Sequence, residues 1–310
     1  LEYFAQRYPG QVLGIRQEDN WPLRGPSIAA CNAEDNDQLR RLFDRWGFQS
    51  VLNCAGNCAL RACELDSRLA WRTNVEGLIN LASLVVQRGV RLVHTSIDLV
   101  FAGRDGGDYR ETERPDPVTV YGKTMVSAEQ LLEDWLPTAC VLRISLPMGI
   151  SFNGHAGAID WIQSRFAKGR PATLYFDEVR TPAYTDCLNR LYERVLASDL
   201  AGVFHAGGPR RLSLYEIAQI VNRVGGYDPD LLMGCYRREA GPMPPRAGNV
   251  TLDSTQLSAA IGGAPFSAWP LDDSLTPVDR EWHYRRDGFT GSPELIAKYL
   301  YRNPVRSSAA

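Results

Sequence analysis

Lysine is nearly missing from this chain. Of 34 basic side chains only three are lysines, Lys123, Lys168 and Lys298, so chemistry that needs an ammonium group has three candidates. Net charge is almost missing as well. A balance of −2 gives no electrostatic footing for nucleic acid or for an anionic membrane. No apolar run approaches the ~18–20 residues that cross a bilayer, and no signal-peptide pattern opens the chain. Both absences point to a cytoplasmic protein. The seven cysteines, at 31, 54, 58, 63, 140, 187 and 235, are odd in number and have apolar neighbours, which predicts buried thiols in a reducing compartment. Cys54, Cys58 and Cys63 match no recurrent ligand spacing and have no histidine nearby, so no metal is expected.

What is present is an ordinary globular composition, 44% hydrophobic and 23% charged over 310 residues. That length suits two lobes or one large α/β domain. Short apolar runs alternate with helical periodicity. Strands are predicted at 11–15 (QVLGI), 27–31, 50–56 (running into a small-residue turn), 91–101, 139–144 and 201–206. Helices are predicted at 35–46, from 72 onward with Leu78, Leu81, Leu84 and Val85 as the apolar stripe, and at 121–135, 159–167, 185–197, 214–224 and 293–301, with Ser213 as an N-cap. Continuous apolar strands between helices mean a parallel sheet covered on both faces. The expected organisation is a nucleotide-binding domain over 1–150, a substrate lobe over 151–263 interleaved with it, and an extension over 264–310 with no functional signal of its own.

A nucleotide-binding βαβ unit opens with a strand and a Gly-rich turn. Here residues 1–8 resemble the end of its first helix, so about 15–20 residues of that unit are expected upstream. The residue after the second strand meets the adenosine ribose, where an acid favours NAD and an arginine favours the 2′-phosphate of NADP. Arg16 holds that position and leans toward NADP, with a plain loop charge as the alternative. Asn53-Cys-Ala-Gly56 ends a strand in small residues, which lets a cofactor approach the backbone.

The sequence carries further landmarks in a fixed order: Asn74 to Gly77 (NVEG), Ser96 to Phe101 (SIDLVF), Tyr109 to Thr112 (YRET), Pro117 to Lys123 (PVTVYGK), Arg180 to Pro182 (RTP), Gly207 to Pro209 (GGP) and Leu252 to Ser254 (LDS). With these the chain resembles the extended short-chain dehydrogenase/reductases. It is most similar to the dTDP-4-dehydrorhamnose reductase branch, which includes the regulatory β subunit of methionine adenosyltransferase. The resemblance implies a Rossmann-type doubly wound parallel sheet with a smaller C-terminal substrate lobe, an NAD(P) cofactor and a nucleotide-sugar ligand. It also implies a homodimer or a regulatory protein partner.

In that family a tyrosine protonates the substrate carbonyl, a lysine four residues later lowers the tyrosine pKa, and a Ser or Thr hydroxyl binds the substrate oxygen. Without a nearby cation a phenol titrating near 10 is a poor proton donor at neutral pH. Tyr121 matches the acid. The lysine position is Met125 and the hydroxyl position is Ile97. Lys123, at i+2, falls on the opposite side of the helix. Cofactor contacts carried over are Arg16, Asn53, Ala55, Gly56, Asn74 and Tyr121. Substrate contacts carried over are Ser96, Asp98, His155, Arg180 and Arg246. The resemblance therefore implies a dinucleotide-binding relative with a degraded catalytic set. The alternatives are a reductase or epimerase with a modified acid–base set, or a regulatory subunit.

Overall fold

A computed structural model describes residues 1–19, 23–151 and 157–302. In chain order the first elements are α1 (Glu2–Arg7), β1 (Gly14–Arg16), β2 (Ile28–Ala30), α2 (Asn36–Trp46), β3 (Ser50–Asn53), α3 (Leu60–Leu65), α4 (Ser67–Trp71), α5 (Gly77–Arg88), β4 (Arg91–Ile97) and α6 (Val120–Trp135). Next come β5 (Cys140–Ile144), β6 (Pro147–Met148), α7 (Asp160–Ala167), β7 (Ala172–Tyr175), β8 (Val179–Arg180), β9 (Ala183–Tyr184), α8 (Thr185–Leu196) and β10 (Gly202–Ala206). The chain ends with β11 (Leu212–Ser213), α9 (Leu214–Val224), β12 (Leu232–Cys235), α10 (Thr255–Ile261) and α11 (Pro293–Ile296). This is a Rossmann-type α/β fold. The chain divides into two compact units. The first takes Leu1–Val100, Pro115–Leu142 and Leu191–Phe204, and the second takes Phe101–Arg114, Arg143–Arg190 and His205 onward.

In the first unit the strand order is β10-β5-β4-β3, and β1 pairs with β2 in a separate parallel ribbon. β3 and β4 run parallel, with Ser50 opposite Arg91 and Asn53 opposite His94. Parallel neighbours need a crossover, and the helical stretch from α3 to α5 supplies it. The core lies where α2, α5 and α6 meet the sheet: Leu39 and Phe43, Leu78, Leu81 and Val85, Ala128 and Leu132, against Leu92 and Val141. α2 begins where the Asp35 carboxylate caps the Gln38 amide and ends at Gly47, whose left-handed φ of 57° suits glycine.

Several boundaries differ from the sequence pattern. The first strand is Gly14–Arg16, not 11–15, because its ladder is only as long as its three-residue partner. β4 stops at Ile97, and Asp98–Val100 turns as a 3₁₀ segment. Residues 67–88 form one helical run broken at Arg72–Glu76 by a π-turn. The cysteines depart as well. Cys31, Cys63, Cys140 and Cys187 are buried, but Cys54 and Cys58 are exposed, because the loop after β3 leaves the sheet at its edge.

The second unit is organised around α9, buried on nearly every face from Tyr215 to Val224. The unit also holds the two-residue pairs β6 with β9 and β8 with β11 and the parallel pair β7 with β12, of which β7, β11 and β12 pack on α9. The stretch after 264 completes this core. Trp269 is fully buried and donates to the Leu300 carbonyl at 2.7 Å. Arg286 donates to the Arg223 carbonyl (3.2 Å) and the Tyr227 carbonyl (2.6 Å). A cation thus meets the carbonyl end of α9, where the helix dipole favours it.

Ser213 caps α9 in a reciprocal box: its hydroxyl accepts from the Glu216 amide at 3.1 Å while the Glu216 carboxylate accepts from the Ser213 amide at 2.7 Å. Ser213→Ala is expected to cost about 1 kcal/mol. In urea unfolding this appears as a lower midpoint with an unchanged m-value.

Candidate functional site

The site in the first unit is built on the start of α6. Three groups fix that helix end. The Thr119 hydroxyl accepts from the Gly122 amide at 2.9 Å, the Glu64 carboxylate accepts from the Val120 amide at 2.7 Å, and the Thr124 hydroxyl donates to the Tyr121 carbonyl at 2.8 Å. Two otherwise unpaired helix-start amides are thereby satisfied. Gly122 explains the close approach of α6 to the end of β4. A Cβ there would lie 2.3 Å from the Leu99 carbonyl oxygen and 2.8 Å from Pro117. The buried Tyr121 is seated by this packing.

Asn74, in the π-turn, joins three segments. Its amide donates to the Thr124 hydroxyl at 2.8 Å, and its carbonyl oxygen accepts from the Asn57 amide at 2.6 Å. A Cβ on Gly56 would come within 3.2 Å of that same oxygen. Asn74 thus couples the loop after β3 to the helix that carries Tyr121. On β3, the Asn53 side chain accepts from the Ala55 amide at 3.1 Å and contacts His94 Nδ1 at 3.0 Å. Asn53 and Ala55 hold this turn, with Gly56 at its exposed tip.

Met125 is buried and Ile97 half-buried, and neither can carry charge or donate a hydrogen bond. Lys123 lines an outer pocket of about 690 Å³ with Arg72, Glu76, Thr124 and Ser127, a pocket that Tyr121 does not line. Ser96 is fully buried and hydrogen-bonds the Glu129 carboxylate of α6. Asp98 is buried in the 3₁₀ turn. Strand alternation puts Thr95 on the side of Ile97. Its hydroxyl contacts Tyr192 Oη at 3.2 Å and Cys54 Sγ at 3.4 Å. Glu64, Thr124 and Thr95 carry no signal of a role in the sequence, and Cys54 enters only as part of the Asn53–Gly56 turn. The Thr124 position, three residues after Tyr121 on one helical face, was the one available signal.

A pocket of about 860 Å³ opens at the carboxyl ends of β1, β2 and β3, lined among others by Glu18, Asn32, Gly56, Asn57, Arg72 and Thr73. Open α/β sheets bind ligands at that end. Arg16 does not line it, and its guanidinium folds onto the Gln17 and Glu18 carbonyls at 2.7 and 2.9 Å.

In the second unit Arg180 and Arg246 converge on one buried carboxylate. Arg180 reaches Glu178 at 3.1 Å and Arg246 reaches it at 3.6 Å, with Arg246 also lying over the Tyr175 ring at 4.6 Å. Both guanidinium groups thus meet the same buried carboxylate. His155 lies outside the described residues. Among the described residues no group of three or more His, Cys, Asp and Glu could hold a metal, and no helix is long and apolar enough to cross a membrane.

A family model described as the RmlD substrate binding domain matches residues 11–272. The dTDP-4-dehydrorhamnose reductase of Mycolicibacterium smegmatis is 28% identical over 294 residues, covering 90% of this chain and 88% of its own. Methionine adenosyltransferase 2 subunit beta of Danio rerio is 24% identical, covering 85% and 83%. The crystal structure of a Bacillus anthracis dTDP-4-dehydrorhamnose reductase in complex with NADP shares the fold, with a TM-score of 0.71 at 19% identity over 81% of this chain and 90% of that one.

Two outcomes are expected from these interiors. Thr124→Val removes the shorter of the two hydrogen bonds that the buried Asn74 amide donates and should cost about 1 kcal/mol in urea unfolding. Burial lowers the pKa of His94, His205 and His283 from 6.5 to about 4, with Arg143 adding to the shift at His205 and Arg286 at His283. All three are held neutral in the fold, so their stabilisation is complete above pH 6.5 and drains away as pH falls toward 4. Stability measured across that window should decline, and His94→Gln should make the decline shallower.

Proposed function

This chain belongs to the RmlD substrate binding domain family, and from that membership we propose that it binds a nicotinamide dinucleotide and a nucleotide-sugar-like ligand while reducing poorly or not at all. The carrying observation is the contrast around Tyr121. The phenol sits at a helix start fixed by Thr119, Glu64, Thr124 and Asn74, yet the residue four positions on is the buried Met125. When bound, the dinucleotide supplies or accepts hydride. The residues that would hold it are the Asn53, Ala55 and Gly56 turn, Asn74 and Tyr121 at the helix side, and the strand-end loop at 16–19. In the second unit Arg180 and Arg246 remain the substrate-side candidates.

Tyr121 can donate a proton to a carbonyl oxygen only as readily as its environment lowers its pKa. Methionine at i+4 supplies no cation for it, and isoleucine at 97 supplies no hydroxyl for the developing charge. Losing positioned acid–base groups costs about 10²–10⁴-fold, and coupled groups are lost together. The relationship to methionine adenosyltransferase 2 subunit beta supports a second reading, a regulatory subunit acting on a partner enzyme. The preserved Tyr121 surroundings favour the contrary one, a 4-keto reductase or epimerase with a modified acid–base set.

NADPH oxidation against a panel of 4-keto nucleotide sugars separates these readings. The expected result is turnover at or near background, unchanged by Tyr121→Phe and raised by the double change Met125→Lys with Ile97→Thr. Measurable turnover that Tyr121→Phe abolishes would replace the disabled reading with the enzyme.

A further inference from the structure

Two thiols flank the start of α3, beside the loop that Asn74 holds. The helix begins at the N-cap Ala59, which offers no side-chain cap, so Cys58 stands one residue before the cap and Cys63 is the fourth helical residue. Those are the two positions whose side chains meet across a helix start. The Cys63 thiol reaches back to donate to the Asn57 carbonyl at 3.3 Å, next to Cys58 in the chain. Burial raises the Cys63 pKa, and the Cys58 sulfur adds more to that rise than the adjacent Glu64 carboxylate. The two sulfurs differ in access. Cys58 is exposed and lines the pocket at the carboxyl ends of β1, β2 and β3, whereas Cys63 is fully buried.

Asn57 and Glu64 connect this pair to the candidate site. The Asn57 amide donates to the Asn74 side chain at 2.6 Å, its carbonyl also accepts from Asn74 at 3.4 Å, and its own side chain accepts from the Ala59 amide at 3.1 Å. Glu64, the residue after Cys63, accepts from the Val120 amide at the start of the Tyr121 helix at 2.7 Å. A covalent change at Cys63 therefore acts on the contacts that seat both the turn and the helix. Cys54 is placed differently, since its sulfur lies 3.4 Å from the Thr95 hydroxyl on β4. An exposed thiol beside a buried one is the arrangement of a redox-sensing pair, and in a reducing compartment such disulfides form transiently.

We propose that Cys58 and Cys63 form a reversible disulfide under peroxide and that the bond weakens dinucleotide binding at the adjoining turn. The weakening rests on the dinucleotide-binding reading above; the disulfide does not. The exposed Cys58 thiolate attacks one oxygen of hydrogen peroxide. An S–O bond forms as the O–O bond breaks, and the hydroxide that leaves takes up a proton as water. The Cys63 sulfur then attacks the Cys58 sulfur. The S–S bond forms, the S–O bond breaks, and the departing hydroxide takes the Cys63 proton as a second water. Two electrons pass from the sulfurs to the peroxide, and a dithiol returns them. Once oxidised, Cys63 has no S–H for the Asn57 carbonyl, and the Cys58 sulfur is drawn from the pocket wall toward α3.

Peroxide treatment of the full chain, alkylation of the remaining thiols after unfolding, and peptide mapping by mass spectrometry test the bond. Trypsin cuts after Arg61, so a bond from Cys58 to Cys63 joins two peptides, whereas one from Cys54 to Cys58 stays inside one. The expected product is the joined pair, kept in Cys54→Ser, absent in Cys58→Ser and Cys63→Ser, and released by dithiothreitol. Thermal unfolding verifies that the serine variants fold. Cys63 fully alkylated after peroxide, or a link that requires Cys54, overturns the disulfide. Titration calorimetry with NAD and with NADP then compares the reduced and oxidised chains. The oxidised chain is expected to bind about three- to tenfold more weakly, the scale of one lost hydrogen bond, and peroxide should leave the affinity of Cys58→Ser unchanged. A bond that forms without altering affinity overturns the switch. Failure of the reduced chain to bind either dinucleotide overturns the functional reading, and the weakening with it, while the joined peptides still decide the disulfide.

Discussion

A single carboxamide holds the first unit's candidate site together. Asn74 sits in a π-turn, a conformation that interrupts helical hydrogen bonding and is used in short pieces where a side chain must be aimed. Its two ends bind the loop after β3 and the Thr124 hydroxyl of α6. The cofactor-side turn and the tyrosine-bearing helix therefore cannot move independently without leaving a buried polar group unpaired. The Asn74 side chain is fully employed in these hydrogen bonds, a structural duty that does not depend on which residue stands four positions after Tyr121.

Charge is distributed unequally between the two units. The pocket of the first is walled by carboxylates, and the interior of the second places Arg180 and Arg246 around one Glu178. Neither arrangement follows from a net charge of −2. Burial then sets protonation. The described histidines are held neutral by desolvation, so at neutral pH the electrostatics of both interiors belong to carboxylates and guanidinium groups alone.

The sheet, the order of its helices and the landmark motifs were legible because they obey strong local rules. β4 is a run of buried residues, α2 has a helical apolar stripe, and Ser213 with Glu216 is a local box three residues apart. The opposition of Ile97 and Met125 to Tyr121 was legible for the same reason, since it depends only on position along one strand and one helix. What stayed hidden depends on distant partners. Thr124 meets Asn74 across 50 positions, and Glu64 reaches Val120 across 56. Two-residue strands such as β6 and β8 are too short to show a period. The stretch after 264 looked uninformative because its tryptophans are packing residues, Trp282 under Arg223 of α9 and Trp269 buried at the Leu300 carbonyl, and packing leaves no motif.

The segments of the two units alternate along the chain, the first closing with Leu191–Phe204 and the second drawing on Phe101–Arg114 as well as everything after His205. As the ribosome releases the chain from its N-terminal side, the first unit lacks its last strand until residue 204 emerges, and the second lacks Trp269 and Leu300 until well after α9 has emerged. Apolar surface on α9 therefore waits exposed during synthesis, an aggregation hazard that chaperones meet in multi-unit chains. For the same reason no contiguous gene fragment encodes either unit, and dissecting this protein requires point substitutions rather than truncations.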